Sequence, residues 1–308
     1  MTLSTVDLAR IREVASRDLV FTAVRDALVA HAEGRTQLPP PIALVFPAVE
    51  GDCHVKAGHV TGSPYFGVKV AAGFYRNAER GLPSNSGLIL VLDAATGVPA
   101  AVLADEGRLT AWRTAAAGAL VTHALTPPDV DEVGVLGTGL QARLQVEWLH
   151  ALRPLSRVRV WGRRSEAVRE LCASLDLDAR PATVEEAAGS ACVITATPST
   201  TPLAPASAFA GALHVTGIGT DLPGKGELPP ELFARARLVV TDDHAQCLDH
   251  GDFGNAVRAG MIGAEVDVPA GVVLRDGVER PGLSIADLTG VGVADAAVAS
   301  AVFLALDF

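Results

Sequence analysis

A short apolar run that leads straight into a glycine-rich turn constrains the fold of this chain more than any other feature. Residues 133–136 read VGVL, residues 137–142 read GTGLQA, and a helical spacing of apolar residues follows. Strand, glycine turn and helix in this order are the context that the G-x-G-x-x-G/A dinucleotide fingerprint requires. Gly137 permits the tight turn, Gly139 lets the backbone approach a pyrophosphate, and the helix N-terminus offers free N–H groups to phosphates. The alternative is a glycine-rich turn that binds no ligand.

From this point onward the chain alternates between strands and helices. We expect strands at residues 133–136, 158–161, 191–195, 213–217 and 238–241, with helices between them. This alternation is typical of a Rossmann-type, doubly wound parallel sheet. We assign residues 119–292 to this dinucleotide-binding domain.

The earlier part of the chain has a different pattern. Apolar residues recur at helical spacing from about residue 4 to residue 33, and a helix is expected at 109–124. Between them, β-like runs with no intervening helix predict an antiparallel sheet, at 42–46, 54–57, 65–72, 88–92 and 100–103. An alanine-rich helix at 293–306 is expected to pack back on this part. The predicted fold class is therefore α/β, a Rossmann-type domain plus an α+β domain of residues 1–118 completed by 293–308.

Composition excludes several classes of function. The formal net charge is −10 and no basic run occurs, so neither nucleic acid nor an anionic membrane is an expected partner. No stretch of eighteen uncharged apolar residues and no signal-peptide pattern is present, so we expect a cytoplasmic protein. The cysteines lie far apart and are expected to be reduced: Cys53, Cys172, Cys192 and Cys247.

The end of the second predicted strand bears on the choice of nicotinamide cofactor. An acidic residue at this place would accept the ribose 2′-hydroxyl of NAD, but the sequence has Arg163 and Arg164 instead. Arginine can bind a 2′-phosphate through paired, charge-assisted hydrogen bonds. We therefore favour NADP over NAD. The alternative is that both arginines lie at a solvated helix start.

Three charged residues could carry the chemistry of hydride transfer. Lys69 lies inside an apolar strand, where it is costly to bury unless it meets an anion, and Arg113 lies among apolar helix residues and suits a carboxylate. Asp221 lies on a glycine-rich loop after a predicted parallel strand and is the candidate for proton transfer. The alternatives are a solvated edge-strand lysine, a helix-capping or domain-bridging arginine, and a turn-capping aspartate.

Other polar residues are weaker candidates. Asn85 could contact a substrate carboxylate or be a plain turn residue. His244, Cys247 and His250 share one side of a helix, but they lack a fourth ligand, so no metal site is predicted. Asp295 precedes the last predicted helix and is expected to be its N-terminal cap rather than a catalytic group.

Together, the ordered motifs closely resemble the ornithine cyclodeaminase/mu-crystallin family. The matching segments run from about residue 38 to the end of the chain, and they read FGVKVAAGFYRN, GLPSNSGLILVLDAATG, DEGRLTAWRTAAAGAL, GVLGTGLQA, ITATPS, GIGTDLPGKGEL and LTGVGVADAAVA. The resemblance implies that the α+β domain binds substrate and forms a homodimer. It implies that Lys69 and Arg113 hold the substrate carboxylate and that Asp221 manages protons and the amino group. The dinucleotide contacts that it implies are Thr114, Gly137, Thr138, Gly139, Gln141, Thr197 and Lys225, to which the turn adds Leu140.

One departure from the family pattern concerns the substrate. Cyclodeaminases usually carry an arginine at the position of Pro41, where it helps to bind the carboxylate. Lys56 lies where a cyclodeaminase typically has an acidic or neutral contact. Either Lys56 supplies the missing positive charge or the substrate is different.

The resemblance implies a nicotinamide-dependent enzyme that acts on the Cα–N bond of an amino acid. In the cyclodeaminase reaction, hydride leaves Cα, the side-chain amine closes a ring with loss of ammonia, and the hydride returns. The same pocket could instead reduce a cyclic imine or ketimine, or dehydrogenate an amino acid. A non-catalytic, mu-crystallin-like ligand-binding protein is the alternative from another class.

Overall fold

The computed structural model describes residues 3–279 and 282–306. The chain forms two compact units. The first consists of the described residues of Met1–Thr114 together with those of Val291–Phe308, and the second is Ala115–Gly290. The assignment of substrate binding and dimerisation to the first unit stays a prediction.

The described residues contain strands and helices from one end to the other. The strands are β1 (Ser4–Asp7), β2 (Thr36–Gln37), β3 (Ile42–Phe46), β4 (Gly51–Val60), β5 (Tyr65–Phe74), β6 (Asn85–Asp93), β7 (Pro99–Ala104), β8 (Glu132–Leu136), β9 (Arg157–Trp161), β10 (Ala179–Pro181), β11 (Cys192–Thr195), β12 (His214–Gly217), β13 (Leu238–Thr241), β14 (Asp267–Pro269) and β15 (Ser284–Asp287). The α-helices are α1 (Leu8–Val14), α2 (Arg17–Ala32), α3 (Arg108–Leu125), α4 (Leu140–Leu152), α5 (Ser165–Ser174), α6 (Val184–Ala188), α7 (Pro230–Phe233), α8 (His244–His250), α9 (Asp252–Arg258), α10 (Ala270–Asp276) and α11 (Gly292–Ala305). Short 3₁₀ turns occur at Pro47–Val49, Tyr75–Arg80 and Ala206–Phe209.

The first unit is built on a sheet in the order β1-β7-β6-β5-β4-β2, with β3 also paired to β4. Strands β3 to β7 pair antiparallel, as expected, whereas β1 joins β7 in parallel. Helix α11 packs on α2, β4 and β5, which confirms that the last helix returns to the first part of the chain.

The expectation of one helix from residue 4 to residue 33 is wrong. Residues 4–7 form the edge strand β1, because ladder hydrogen bonds to β7 are available there. Asp7 then caps α1 by accepting from the N–H of Arg10, and Ser16 caps α2 by accepting from the N–H of Leu19. Two side-chain caps within ten residues divide the helical pattern into separate helices.

The second unit is an eight-stranded parallel sheet in the order β10-β9-β8-β11-β12-β15-β13-β14. Its order reverses at β8, because β9 lies on one side of β8 and β11 on the other. Ligands of doubly wound sheets bind beyond the carboxyl ends of the strands at such a reversal. The predicted α/β fold class is confirmed, but β15, which lies between β12 and β13, was not expected.

Candidate functional site

The first unit contains a buried cluster of charged side chains. Lys56, Lys69, Arg113 and Asp295 are each at most 8% exposed. The Lys69 Nζ donates to Asp295 Oδ2 at 2.9 Å, and the Arg113 Nε donates to Asp295 Oδ1 at 2.8 Å. Lys56 on β4 stands directly opposite Lys69 on β5 in the strand register. We call these four side chains the cationic cluster.

Two glycines allow helix α11 to reach this cluster. A Cβ atom at Gly58 would lie 2.7 Å from the backbone of Val293, and one at Gly67 would lie 2.9 Å from the Cα of Ala296. Because neither residue has a Cβ atom, the first turn of α11 can lie against β4 and β5. The close approach brings Asp295 to Lys69.

The expectation that Asp295 caps the last helix is wrong. Val291 occupies the N-cap position of α11, and no side chain caps it. Asp295 lies in the first turn, where its carboxylate bridges Lys69 and Arg113 instead of accepting from the helix backbone. Two buried cations attract a carboxylate more strongly than a terminal N–H group does.

The charges within the cluster shift one another's protonation. Burial lowers the pKa of Lys69 to about 8, and the positive charges of Arg113 and Lys56 act in the same direction while Asp295 opposes them. Burial alone would raise the pKa of Asp295, but Arg113 and Lys69 outweigh it, and the net pKa is lowered. Asp295 is therefore held as a carboxylate, and Lys69 carries its charge less firmly than an exposed lysine.

Arg113 uses only one of its nitrogens within the cluster. Its Nε bonds to Asp295, whereas the two terminal guanidinium nitrogens donate no hydrogen bond to any residue of 3–279 or 282–306. Those nitrogens form part of the planar fork that binds a carboxylate through two parallel hydrogen bonds. Asp295 therefore fixes the side chain and leaves its recognition edge for a ligand.

Two other residues predicted for the site take no part in the hydrogen bonds that join Lys69 and Arg113 to Asp295. Asn85 begins β6, is exposed, and pairs with Gly73 on the sheet face that carries Lys69. Thr114 lies on α3, and its hydroxyl donates to the Thr110 carbonyl at 2.9 Å. Their predicted roles stay predictions.

The second unit has a pocket of about 520 Å³ at the strand-order reversal. Six residues predicted to contact the cofactor line it, namely Gly137, Thr138, Gly139, Arg163, Arg164 and Thr197. Leu140 and Gln141, the first residues of α4, do not line it. Part of the wall was not predicted from the sequence, and it comes from Trp161, Gly162, Ala196, Pro198, Ser199 and Leu203.

The turn glycines have different structural roles in this pocket. Gly137 has a φ of +139°, and a Cβ atom there would lie 2.4 Å from the Ala196 carbonyl oxygen, so only glycine fits. A Cβ atom at Gly139 would meet no atom within 4 Å, so that position is open to a ligand. Gly139 is also the N-cap of α4 and provides no capping side chain. The first N–H groups of α4 are therefore available to a phosphate.

A buried glutamate joins the segments that follow β11 and β12. Glu227 Oε1 accepts from the N–H of Thr197 at 2.6 Å and from its hydroxyl at 2.7 Å. Glu227 Oε2 accepts from the Thr195 hydroxyl and from the N–H of Gly219, both at 2.8 Å. Four donors on one carboxylate fix the pocket residue Thr197 against the loop that leads to Asp221. The only sequence signal for Glu227 was its place in the GKGEL segment.

Asp221 lies on the loop after β12, as predicted. Its side chain is half exposed, and its Oδ1 accepts from the Lys225 Nζ at 2.5 Å. Lys225, a predicted cofactor contact, does not line the pocket of the second unit. Both assigned roles stay predictions.

More carboxylates are buried behind the same loop. Asp252 accepts from the N–H of Glu227 at 3.0 Å, and Asp287 accepts from the N–H of Phe253 at 2.8 Å and from the Thr220 hydroxyl at 3.1 Å. Burial raises the pKa of Asp287 to about 7. Burial, with the charges of Asp287 and Glu227, raises the pKa of Asp252 well above its usual range.

The part of the chain that the structure describes contains neither a grouped set of metal ligands nor a helix that could cross a membrane. Within residues 3–279 and 282–306, no three His, Cys, Asp or Glu side chains are grouped so that they could hold a metal ion. Every helix in that part of the chain is too short or too polar to span a bilayer.

A parallel sheet with a glycine-lined pocket at its strand reversal defines a dinucleotide-binding fold. The chain belongs to the ornithine cyclodeaminase/mu-crystallin family, whose model matches residues 4–305. This confirms the resemblance inferred from the ordered motifs.

Relatives of known sequence or structure extend over nearly the whole chain. The chain is 34% identical to an uncharacterised cyclodeaminase of Sinorhizobium fredii, over 98% of this chain and 95% of that protein. An archaeal alanine dehydrogenase dimer with bound NAD superposes with a TM-score of 0.89 at 29% identity, covering 99% of this chain and 96% of that one. The iminosuccinate reductase of Paracoccus denitrificans in complex with NAD+ gives a TM-score of 0.89 at 26% identity, covering 98% and 96%.

Proposed function

We propose that this protein is a nicotinamide-dependent enzyme that moves a hydride to or from the Cα atom of an amino or imino acid. The observation that carries the proposal is the geometry of Arg113. Its side chain is fixed by Asp295 through Nε, and its terminal nitrogens remain for a carboxylate next to Lys69. A buried cation with an unused fork is costly unless an anion binds there.

The pocket of the second unit fits a dinucleotide. The open position at Gly139 and the uncapped start of α4 suit a pyrophosphate, and Arg163 and Arg164 on the wall suit a 2′-phosphate. When bound, the nicotinamide supplies or accepts the hydride. NADP is therefore the proposed cofactor, although the two compared structures hold NAD.

The residues of the chain have separate roles in this proposal. Arg113 and Lys69 bind the α-carboxylate, and Asp295 orients both cations, so the Cα–H bond has a fixed direction. Asp221 accepts or returns the proton at the substrate nitrogen, and Lys225 donates a hydrogen bond to its carboxylate. Glu227 positions the loop that carries Asp221.

Two reactions of the same site are candidates. Redox-neutral cyclodeamination of a diamino acid is supported by the relative in Sinorhizobium fredii. Net oxidation of an amino acid, or reduction of an imine, is supported by the two superposed structures, an alanine dehydrogenase and an iminosuccinate reductase. Because two superposed structures support it, we favour net redox chemistry.

Absorbance at 340 nm and ammonia release, measured on the same reaction mixture, separate these candidate reactions. With oxidised cofactor, we expect amino acids to raise the absorbance at 340 nm, because reduced cofactor is formed. With reduced cofactor, we expect oxo acids and ammonium to lower it. Ammonia release from ornithine or lysine without a change at 340 nm would assign the cyclodeaminase reaction instead.

Asp221→Asn should abolish turnover and leave cofactor affinity intact. No turnover of any amino or imino acid would favour a non-catalytic binding protein.

The cofactor proposal has its own test. Arg163→Ala and Arg164→Ala, separately and combined, should weaken NADPH binding about tenfold or more and leave NADH binding within about threefold, because only NADPH carries the 2′-phosphate. Fluorescence titration of each cofactor measures this. Tighter binding of NADH by the unmodified protein would contradict the proposal.

We also infer a homodimer. The large apolar residues of strand β3 are each between 40% and 66% exposed, namely Ile42, Leu44, Val45 and Phe46. An exposed apolar strand of this kind is typical of an association surface, and the archaeal relative is a dimer. Val45→Glu should yield monomers in light scattering, whereas Arg25→Glu on the exposed surface of α2 should not.

A further inference from the structure

Asp105 is a second buried carboxyl group of the first unit, and it has no role in the proposed reaction. It lies between β7 and α3 and is 1% exposed. Its Oδ2 accepts from the N–H of Leu109 at 2.8 Å, at the start of α3. Its Oδ1 is buried and has no hydrogen-bond partner among residues 3–279 and 282–306. One oxygen therefore fixes the carboxyl group, and the other is a buried acceptor without a donor, which is unfavourable unless a ligand supplies one.

The turn that carries Asp105 has an unusual backbone conformation. Glu106 has a φ of +53° and Gly107 a φ of +77°, so two successive residues are left-handed. The left-handed conformation is unfavourable for a residue with a Cβ atom, and the side chain of Glu106 is exposed. Backbone of this kind persists where the surrounding structure determines it, and it is concentrated at binding and catalytic sites. The turn therefore holds Asp105 in one orientation at a local cost.

The strand pattern places Asp105 on the sheet face that carries Lys69. In the strand register, Lys69 pairs with Ile89, and Ile89 pairs with Leu103. Directly paired side chains lie on the same face of a sheet, and side chains alternate between the faces along a strand. Leu103 and Asp105 are each at most 1% exposed, whereas Ala104 between them is more exposed. The alternation of β7 thus continues to Asp105.

Helix α3 directs Arg113 toward the same region. Arg113 lies eight residues, or about two helical turns, after Asp105. Helical side chains point back toward the N-terminus of their helix, which for α3 is the turn of Asp105. The Arg113 Nε donates to Asp295 at 2.8 Å, and the charge of Asp295 reaches Asp105, because it raises the pKa of Asp105. Asp295 is therefore a common neighbour of Asp105 and of the pair that is proposed to bind the α-carboxylate.

The surroundings of Asp105 make its negative charge unfavourable in the protein alone. Burial raises the pKa of Asp105, the N–H groups of Leu109 and Gly107 oppose this effect, and the charge of Asp295 adds to it. A cationic donor at Oδ1 would stabilise the ionised form and would pair the unused oxygen.

An amino or imino acid brings such a donor next to its α-carboxylate. We propose that Asp105 is a specificity-determining residue, whose Oδ1 accepts a hydrogen bond from the nitrogen on Cα while Arg113 and Lys69 bind the α-carboxylate. The substrate class is then an acid that carries nitrogen rather than oxygen on Cα. A 2-hydroxy acid offers only a neutral hydroxyl group at the same place, and its hydrogen bond is weaker than that of a cation.

This inference rests on the proposed function and makes its substrate class more specific. In the oxidative direction, the ammonium group first loses one proton to Asp221. Hydride then leaves Cα for the oxidised nicotinamide, the nitrogen lone pair forms the C=N bond, and the nitrogen becomes a cationic iminium. The Asp105 carboxylate stabilises the charge that develops on this nitrogen. Oxidation of a 2-hydroxy acid forms a neutral carbonyl group and gains nothing from Asp105.

Two acids that differ only in the Cα substituent test the inference by binding alone. Isothermal titration with saturating reduced dinucleotide compares L-2-aminobutyrate with L-2-hydroxybutyrate, and neither acid can be oxidised by that form of the cofactor. In the unmodified protein, the amino acid should bind about tenfold tighter or more, as expected for a hydrogen bond between charged groups.

Variants of Asp105 assign this preference to one oxygen atom. In Asp105→Asn, the amide oxygen can still accept from the N–H of Leu109, which places the NH₂ donor where Oδ1 was. The preference for the amino acid should fall about tenfold or more, and the affinity for the hydroxy acid should change by less than about threefold. Asp105→Ser, which keeps a side chain that can cap a helix, should lower the preference in the same direction. Glu106→Gln, which changes an exposed carboxylate of the same turn, is the matched control and should change neither affinity.

The outcomes separate this inference from the proposed function. Equal losses for both acids in Asp105→Asn, or an unchanged preference in Asp105→Asn and Asp105→Ser, would make Asp105 a helix cap only and would overturn this inference alone. If the unmodified protein bound neither acid and turned over no amino or imino acid, the proposed function would be overturned and this inference with it.

Discussion

Each of the two units buries a group of charged side chains, but the two groups differ in how they are neutralised. In the first unit, two cations, Lys69 and Arg113, share one firmly ionised carboxylate, Asp295, and Lys56 is buried near them. In the second unit, Glu227, Asp252 and Asp287 accept from backbone N–H groups and hydroxyls. Neutral donors satisfy the oxygen atoms without cancelling the charge, so burial raises the pKa of all three carboxyl groups.

This difference shows two uses of buried charge. Carboxylates that bond to the backbone of several loops fix those loops relative to one another, and they need no ligand. Cations in excess of their carboxylate keep donors available, and they need an anion. We therefore propose that the carboxylates of the second unit position a site, whereas the cationic cluster of the first unit is itself a binding site.

The largest effect should follow removal of the carboxylate of the first unit. Asp295→Asn leaves two buried cations without their counter-charge, and loss of one partner of a buried pair costs about 3–5 kcal/mol. Urea denaturation measures the free energy of unfolding. Asp26→Asn, in the exposed pair with Arg25, is the control and should cost under about 1 kcal/mol. If the free energy of unfolding fell by less than about 1 kcal/mol in Asp295→Asn, the description of the cationic cluster would be contradicted.

The next effect should follow removal of one acceptor oxygen of the second unit. In Glu227→Gln, an amide NH₂ group must face the N–H of either Thr197 or Gly219, which leaves a buried donor unsatisfied. We expect a loss of about 2–3 kcal/mol in stability and about tenfold weaker dinucleotide binding, because Thr197 lines the pocket. Denaturation and fluorescence titration measure the two quantities.

The matched control for that variant is Glu231→Gln, which changes an exposed side chain on α7. It should leave stability and cofactor affinity unchanged. If Glu227→Gln lost stability but kept its cofactor affinity, Glu227 would be structural only and would not position Thr197.

The smallest effect concerns pH. The raised pKa of Asp287, about 7, means that the folded state holds a proton that the unfolded state has released above about pH 4. The stability contributed by that proton is lost as the pH rises to 7. In Asp287→Asn, the amide can still accept from the N–H of Phe253 and can donate to Thr220. Between pH 5 and pH 8, the free energy of unfolding of this variant should therefore fall by about 1–2 kcal/mol less than that of the unmodified protein. Asp129→Asn, an exposed control, should behave as the unmodified protein, and equal pH slopes for Asp287→Asn would refute the assignment.

Much of the fold and the dinucleotide pocket could be predicted because their signals are local. The turn at residues 137–142 needs glycine at its first position, because the backbone φ of Gly137 is +139°. The apolar residues of β8, β9 and β11 each identify a strand. The strand β15 was missed because its two apolar residues lie between Ser284 and the buried Asp287, which gives no apolar run. Its burial depends on two neighbouring strands that are distant in sequence.

The charge balance of the site could not be predicted in the same way. Lys69 and Asp295 are 226 residues apart, and their contact depends on the close packing that Gly58 and Gly67 allow. Without that packing, an aspartate at the start of a helix is typical of a cap, which is why the sequence predicted the wrong role. Glu227 is a similar case, because its four donors come from β11, from the segment that follows β11 and from the loop after β12.

The central claim is that the excess positive charge of the first unit binds a carboxylate, and the pH dependence of acid binding tests it most directly. Isothermal titration of 2-oxobutyrate, with saturating oxidised dinucleotide, should give a dissociation constant that is flat up to pH 8. It should then rise about tenfold per pH unit as Lys69, with its pKa of about 8, loses its proton. In Lys69→Arg, which stays charged, it should remain flat to about pH 9.5. A dissociation constant that does not change between pH 7 and pH 9.5 in the unmodified protein would contradict the account.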